Sequence, residues 1–366
     1  MVDRLRRLGL QAGLSAVETC AVGSWTSSRS RLEAGRQAGR NADMEFTYRN
    51  PARSSEPARI LPGARSLVVG AYTYQHDGEP TGQTDRRSVD HVMADVARYA
   101  RGDSIGALRH RLAPIATELR AIGHRAVVMA DDNSMLDREA AWRAGIGSYG
   151  KHSNLMLRGG AGSWIVLGAV VTTAALAPSS APSSDVCGTC TLCMDRCPTG
   201  AIVSPGVVDA RRCLAWILQA PGSMPQRWRV AVGTRVYGCD TCQEVCPENT
   251  RHDDENPTVR PARTGHVAPP SGASVDAVAW LALDDDELLA AAGRWYVADR
   301  DPTTLRRNLL IVLGNAGRGD LPGVLTTLES YAAGDDPILA EHARWSLARL
   351  ETPTAAPTGS QTGPRR

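Results

Sequence analysis

Phenylalanine occurs once in 366 residues and aromatics make up only 5% of the chain, which argues against a core or a binding face built on aromatic stacking. Lysine is equally scarce. Lys151 is the single one among 41 basic residues, so positive charge is carried by arginine. Long apolar runs are missing too: the longest, Ile165 to Val171, falls far short of the roughly 20 residues that a membrane-spanning helix requires. The N-terminal stretch carries arginines but lacks the apolar core of a secretory signal, so export is not expected and a cytoplasmic, membrane-free location is. Net charge is +2, which by itself argues neither for nor against a nucleic-acid partner. Arginines do cluster at Arg4/Arg6/Arg7, Arg29 to Arg40, Arg211/Arg212, Arg227/Arg229 and Arg306/Arg307, where they suit either phosphate contacts or solvated surface.

What is present is an ordinary globular composition, 42% hydrophobic and 22% charged, in a chain long enough for two or three domains. Residues 66–74 read as a buried strand and 88–101 as a helix. Leu108, Leu112, Ile115, Leu119 and Ile122 form one stripe of an amphipathic helix that Gly123 stops. Residues 125–130 give a second strand, followed by an acidic turn at Asp131/Asp132, a helix through Ala144 and a further strand at 163–173. This alternation predicts an α/β (α+β) layer with a parallel sheet, and Asp131 falls at a strand's carboxyl end, where such sheets bind ligands. A Pro/Ser stretch at 177–185 reads as a linker, residues 251–271 are polar and proline-rich, and helical patterns recur at 278–292, 303–314, 322–333 and 337–350. These short paired helices suggest a HEAT-like repeat, with a plain bundle as the alternative. The resulting division is an α/β domain at 1–176, a cysteine domain at 177–255, helical repeats at 275–350 and a disordered tail at 351–366.

Cys187, Cys190, Cys193 and Cys197 form C-x2-C-x2-C-x3-C followed by Pro198, the run of bacterial ferredoxins, in which three cysteines bind one cubane and the fourth the other. The complementary set is Cys213 with Cys239, Cys242 and Cys246, closed by Pro247. Pseudo-symmetry between the runs assigns Cys187, Cys190, Cys193 and Cys246 to one 4Fe-4S cluster and Cys197, Cys213, Cys239 and Cys242 to the other. Two all-thiolate zinc sites are the alternative, though the C-x3-C-P endings favour cubanes. Disulfides conflict with a cytoplasmic location. Cys20 remains as an ordinary buried residue. Paired clusters deliver electrons to a neighbouring site, which makes an electron-transfer function the minimal reading.

The run from Asp131 to Thr173, the two cysteine segments, GTRVYGCDTCQEVCP and LRRNLLIVLGNAG resemble the epoxyqueuosine reductase family of cobalamin-dependent tRNA-modifying enzymes, over about Met44 to Leu350. MEFTYRN, LPGARSLVVGAYTY and VARYARGD resemble its N-terminal half. The resemblance implies a base-off cobalamin beside the α/β domain. It further implies reduction of epoxyqueuosine to queuosine at the wobble position of tRNA with a GUN anticodon, the final step of queuosine biosynthesis. A flavodoxin- or ferredoxin-type protein would supply electrons, and the enzyme would be a monomer. Asp131 matches the family's proton donor, although the turn here reads Asp-Asp-Asn-Ser. Asp131, Asp132, Asn133 and Ser134 equally suit a helix cap. Arg49, Ser153, Asn154, Ser163, Ala215, Gly238 and Asp240 would contact the cobalamin together with Asp131. Gly145, Gly147 and Gly150, around Lys151, would permit close backbone approach to that ligand. His152 has no D-x-H-x-x-G context and is not expected to ligate cobalt. The competing readings are a reductive dehalogenase-like enzyme and a non-catalytic dicluster electron-transfer protein.

Overall fold

The structure is a computed structural model that describes residues 1–74, 90–159, 162–179, 186–250 and 273–351. The proline-rich stretch at 251–271, most of the expected linker and the expected disordered tail from 352 onward lie outside the described residues. The chain divides into two compact units, the first formed by Met1–Thr81, Ala97–Ile217 and Gly238–Ala273, the second by Gly82–Val96, Leu218–Tyr237 and Ser274–Arg366. These boundaries cut across the divisions at 176 and 255 drawn from sequence. Residues 177–179 also pack as part of the first unit, where the Ser179 N–H donates to Thr19 O at 2.8 Å.

A four-stranded sheet forms the first unit's centre, in the order Ala16–Ala21, Ser66–Thr73, Ile165–Thr172, Ala126–Ala130. Every neighbouring pair is antiparallel, with Val68 opposite Val170 and Val170 opposite Val128. This corrects the parallel sheet expected from strand–helix–strand alternation. Ser66–Thr73 and Ala126–Ala130 do run the same way, but Ile165–Thr172, apolar along both faces, enters between them from later in the chain.

Side chains alternate across the sheet, as a two-residue period requires. Val68 and Tyr72 face the helix Ser104–Ala121, whose Leu108, Leu112, Ile115 and Leu119 are fully buried. Leu67, Val69 and Ala71 face Met135, Ala140, Ala141 and Ala144. Burying one such leucine contributes about 2 kcal/mol, so the expected stripe is what anchors this helix. Gly70 permits its close approach, since a Cβ there would stand 2.9 Å from a Leu112 methyl group.

The second unit holds a three-stranded sheet, Arg235–Tyr237, Met93–Val96 and Ser274–Asp276. The helix expected over 88–101 is therefore absent from its described residues, 90–101. Val92, Ala94 and Val96 are buried at alternate positions, a strand's period, and only the single turn Arg98–Ala100 is helical. The helices Ala277–Leu281, Asp285–Ala292, Thr303–Ala316, Val324–Ala333 and Pro337–Glu351 complete the unit. The pattern at 278–292 breaks in two because Asp284 caps the second helix, with reciprocal bonds of 2.8 and 3.1 Å between Asp284 and Glu287.

Candidate active site and cysteine centres

The eight cysteines of the two runs all lie in the first unit, within loops punctuated by single helical turns, Leu192–Asp195 and Thr241–Glu244. Loop bonds hold them: the Cys190 N–H donates to Cys187 O at 2.9 Å, and the Ala201 N–H to Cys197 Sγ at 3.2 Å. None of the nine cysteines forms a disulfide. Cys193 interacts electrostatically with Cys187, Cys246 and Cys190, and Cys242 with Cys239 and Cys213 ahead of Cys193 and Cys197.

Cys187, Cys190, Cys193 and Cys246, with His152, Met156 and Glu248, line one pocket of about 100 Å³. A zinc ion sits about 2.3 Å from each thiolate and would draw the sulfurs to a point. Among the described residues, no three His, Cys, Asp or Glu side chains converge that tightly. Burial first, and repulsion between neighbouring thiolates second, raise the thiols of Cys193 and Cys242 above the ordinary range. Burial also raises Cys213 and Cys246. Burial opposes ionisation of Cys197 as well, but hydrogen bonds from the Thr199 and Ala201 backbone bring it below the ordinary value. The donor set is thus one that a cationic cluster would stabilise as thiolates, in a hollow wider than a single ion needs.

At the carboxyl end of Ala126–Ala130, Asp131 is exposed and adopts a left-handed backbone, φ +52°. A non-glycine residue in that region is uncommon and marks a constrained turn. Its neighbour closes the turn: Asp132 Oδ1 accepts the Ser134 N–H at 2.7 Å, an i,i+2 bond, and none of the four residues 131–134 caps the following helix, whose N-cap is Leu136 without a side-chain bond. Burial would raise Asp132, yet hydrogen bonds from Ser134 and the charges of Arg53 and Arg109 lower it. Ser54 Oγ donates to Asn133 O at 2.6 Å, and Arg53 to Ser134 Oγ at 2.7 Å, so the turn is pinned from the segment Pro51–Ser54. Among the described residues, no hydrogen bond or ion pair engages the Asp131 carboxylate.

Beside the turn lies a cleft of about 350 Å³ lined by Phe46, Arg49, Asn50, Arg53, Ser54 and Asn133. Arg49 is 74% exposed there and 3.6 Å from Glu45. A third carboxyl, not singled out from sequence, belongs to the same turn. Asp137 opens the helix Asp137–Arg143, and although the residue keeps part of its surface, its carboxyl is packed in. Desolvation first, then the charge of Asp131, raises it well above the carboxylate range. An acid placed at a helix start is usually a cap, which is why the residue drew no attention in the sequence.

The remaining residues suggested for ligand contact divide. Ser153 and Asn154 occupy the turn between the strands Gly147–Tyr149 and Leu155–Leu157, where Ser153 has φ +70° and accepts from Arg138 through O at 2.6 Å. The Ala215 N–H serves the Cys213 sulfur. Ser163 is buried and bonded internally: its N–H donates to Asn249 Oδ1 at 2.6 Å, and Gln243 donates to its Oγ at 3.1 Å. Asp240 is buried and accepts the Arg98 N–H at 2.7 Å. At Gly238, φ +72°, a Cβ would stand 2.5 Å from Ala97 Cβ. Neither Gly147 nor Gly150 presents an open backbone. Their missing side chains make room for Met156 O and the His152 ring.

Several arginines suggested for phosphates are likewise engaged inside the protein. Arg229, Arg306 and Arg307 are buried. Arg229 pairs with Glu341 and Arg306 with Asp285, while Arg307 donates to Ala220 O and Gly222 O at 2.8 and 2.6 Å. Arg211 pairs with Asp209 at 2.6 Å.

Comparison with known proteins agrees with this arrangement. Residues 186–249 match the family model described as a 4Fe-4S double cluster binding domain, and two iron–sulfur clusters follow. The chain is 32% identical to epoxyqueuosine reductase of Vibrio cholerae, across 98% of this chain and 94% of that one. A crystal structure of epoxyqueuosine reductase with an epoxyqueuosine-modified tRNA-Tyr stem loop superposes with a TM-score of 0.83 at 27% identity, covering 96% of this chain and 90% of the other. A second, from Bacillus subtilis, has its catalytic aspartate loop swung out of the active site and matches with a TM-score of 0.80 at 26% identity, over 95% and 90% of the two chains. With this identity sustained over nearly its whole length, the chain belongs to the epoxyqueuosine reductase family.

Proposed function

We propose that this chain reduces epoxyqueuosine to queuosine at the wobble position of tRNA with a GUN anticodon, the last step of queuosine biosynthesis, with Asp131 as the acid. The observation that carries this reading is the division of labour between adjacent carboxylates: Asp132 closes the turn at 2.7 Å from the Ser134 N–H, while the Asp131 carboxylate is exposed at the mouth of the sheet, with no side-chain bond among the described residues. A base-off cobalamin, supplied with electrons through the two clusters, would provide the two electrons that, with two protons, turn the epoxide into an alkene and water. Asp131 delivers the proton taken up by the departing oxygen.

Arg49, in the cleft beside the turn, would hold the cobalamin together with Ser153, Asn154, Ser163, Ala215, Gly238 and Asp240, with Gly238 and Asp240 acting through their backbone groups. Cys187, Cys190, Cys193 and Cys246 hold one cluster, and Cys197, Cys213, Cys239 and Cys242 the other. The helices of residues 275–350 act as a HEAT-like platform for the anticodon stem-loop. A flavodoxin or ferredoxin supplies electrons to a cytoplasmic monomer. The test is a single-turnover assay on an epoxyqueuosine-bearing stem-loop: Asp131→Asn with full iron content should fail to form queuosine, and wild-type turnover by that variant would remove the assignment.

A further inference from the structure

His152 is a buried side chain with an unused proton. It lies in the turn between Gly147–Tyr149 and Leu155–Leu157 and is only 4% exposed. Its Nδ1 accepts the Asn154 N–H at 3.1 Å. A ring nitrogen that accepts is bare, so the imidazole is neutral and its proton sits on Nε2. Nε2 is buried and has no hydrogen-bond partner among the described residues. A buried donor left unmet is costly, and the ring forms part of the wall of the pocket made by Cys187, Cys190, Cys193 and Cys246.

We infer that His152 Nε2–H donates a hydrogen bond to a sulfur of the cluster held by Cys187, Cys190, Cys193 and Cys246, raising that cluster's reduction potential. This rests on the two-cluster reading of the cysteines. One further observation supports it: Gly150 leaves the ring its place, because a Cβ there would stand 2.7 Å from Cε1 and 3.0 Å from Nε2. The same turn sends a second donor to this loop, the Lys151 N–H at 3.4 Å from Cys187 Sγ. Hydrogen bonds to cluster sulfurs stabilise the more negative, reduced state and so raise the potential. His152 lines the pocket of Cys187, Cys190, Cys193 and Cys246, so the effect falls on that cluster and separates the potentials of the two. His152 is a positioning and tuning residue and takes no part in bond making.

The experiment uses anaerobically prepared full-length protein whose iron and sulfide contents show both clusters. In wild-type protein carrying 15N-histidine, pulsed EPR of the reduced clusters should reveal one weakly coupled histidine nitrogen. Redox titration followed by EPR should show that His152→Leu lowers the reduced fraction of one cluster by about tenfold at fixed ambient potential, the size of one hydrogen bond. The other cluster should be unmoved, and His152→Gln, which keeps an N–H, should recover part of the loss. Intact clusters with no histidine coupling in the wild type, or potentials unchanged in His152→Leu, would overturn the inference. The wild-type coupling decides the matter even if the leucine variant fails to assemble. Wild-type protein that binds no clusters at all would instead overturn the cysteine assignment on which the inference rests.

Discussion

Lys151 Nζ donates to the backbone carbonyl of Cys190 at 2.9 Å, and also to that of Gly188 at 2.7 Å. The chain's one lysine thus fastens the turn after Gly147–Tyr149 to the first cysteine loop. A compact ammonium with three donors suits two carbonyls that converge. Lys151→Met should leave the fold intact but loosen the loop by about 1–2 kcal/mol. Iron release to a chelator should then be roughly tenfold faster; a release rate equal to wild type would show that the clamp contributes nothing.

Asp131 and Asp132 are adjacent but should respond oppositely to substitution. Asp131→Ala should keep both clusters and the unfolding midpoint while losing about 100-fold or more in turnover, the usual size of a general-acid contribution. Asp132→Ala should cost about 1 kcal/mol of stability through loss of the Ser134 bond and retain most turnover. Reversal of these two outcomes in parallel stability and turnover assays would mean that Asp132 is the acid.

Asp137 should make stability depend on pH. Its folded-state pKa is raised by desolvation first and by the charge of Asp131 second, so the folded protein holds a proton that the unfolded chain has released. The stabilisation is complete below the unfolded value of about 4 and is lost as pH rises toward the folded one. Asp137→Asn should therefore gain stability relative to wild type as pH increases across that window. Thermal unfolding of the two proteins between pH 4 and neutrality, expected to diverge as the pH rises, checks this, and parallel curves would contradict it.

Local features were legible in the sequence where one physical signal dominated. Leu108 to Leu119 of the expected stripe and all but the last residue of the strand expected at 66–74 appear, because periodicity and burial agree there, whereas Ile122 is exposed at the helix's C-cap. The cysteine runs were legible because cluster ligation fixes both residue type and spacing. Sheet direction was not, since the insertion of Ile165–Thr172 between two parallel-running neighbours depends on contacts distant in sequence. The strand Met93–Val96 was hidden by a helical reading of its surroundings, although Val92, Ala94 and Val96 already alternate. His152 is considered from sequence only as a cobalt ligand, and Asp137 not at all, because their significance lies in what surrounds them: an Nε2 unpartnered among the described residues in one case and a neighbouring carboxylate in the other.

Arg307 should behave as a structural residue and not as an RNA contact. It is 1% exposed, and its guanidinium satisfies the carbonyls of Ala220 and Gly222 and, at 2.9 Å, Asn308 Oδ1. Burial, followed by the nearby Arg229, lowers its pKa to about 10, still protonated at neutral pH. Arg307→Leu strands these acceptors and should cost on the order of 3 kcal/mol. Calorimetry should show a lowered unfolding midpoint; an unchanged midpoint with weakened tRNA binding would return Arg307 to the RNA-contacting set.

The most direct test of the central claim is mass spectrometry of the nucleosides from epoxyqueuosine-tRNA incubated anaerobically with the protein, reconstituted with iron, sulfide and cobalamin and supplied with a low-potential reductant. Queuosine, lighter by one oxygen, is expected to replace the epoxyqueuosine signal, with no conversion by Asp131→Asn. Unchanged epoxyqueuosine in the presence of wild-type protein bearing both clusters and cobalamin would contradict it.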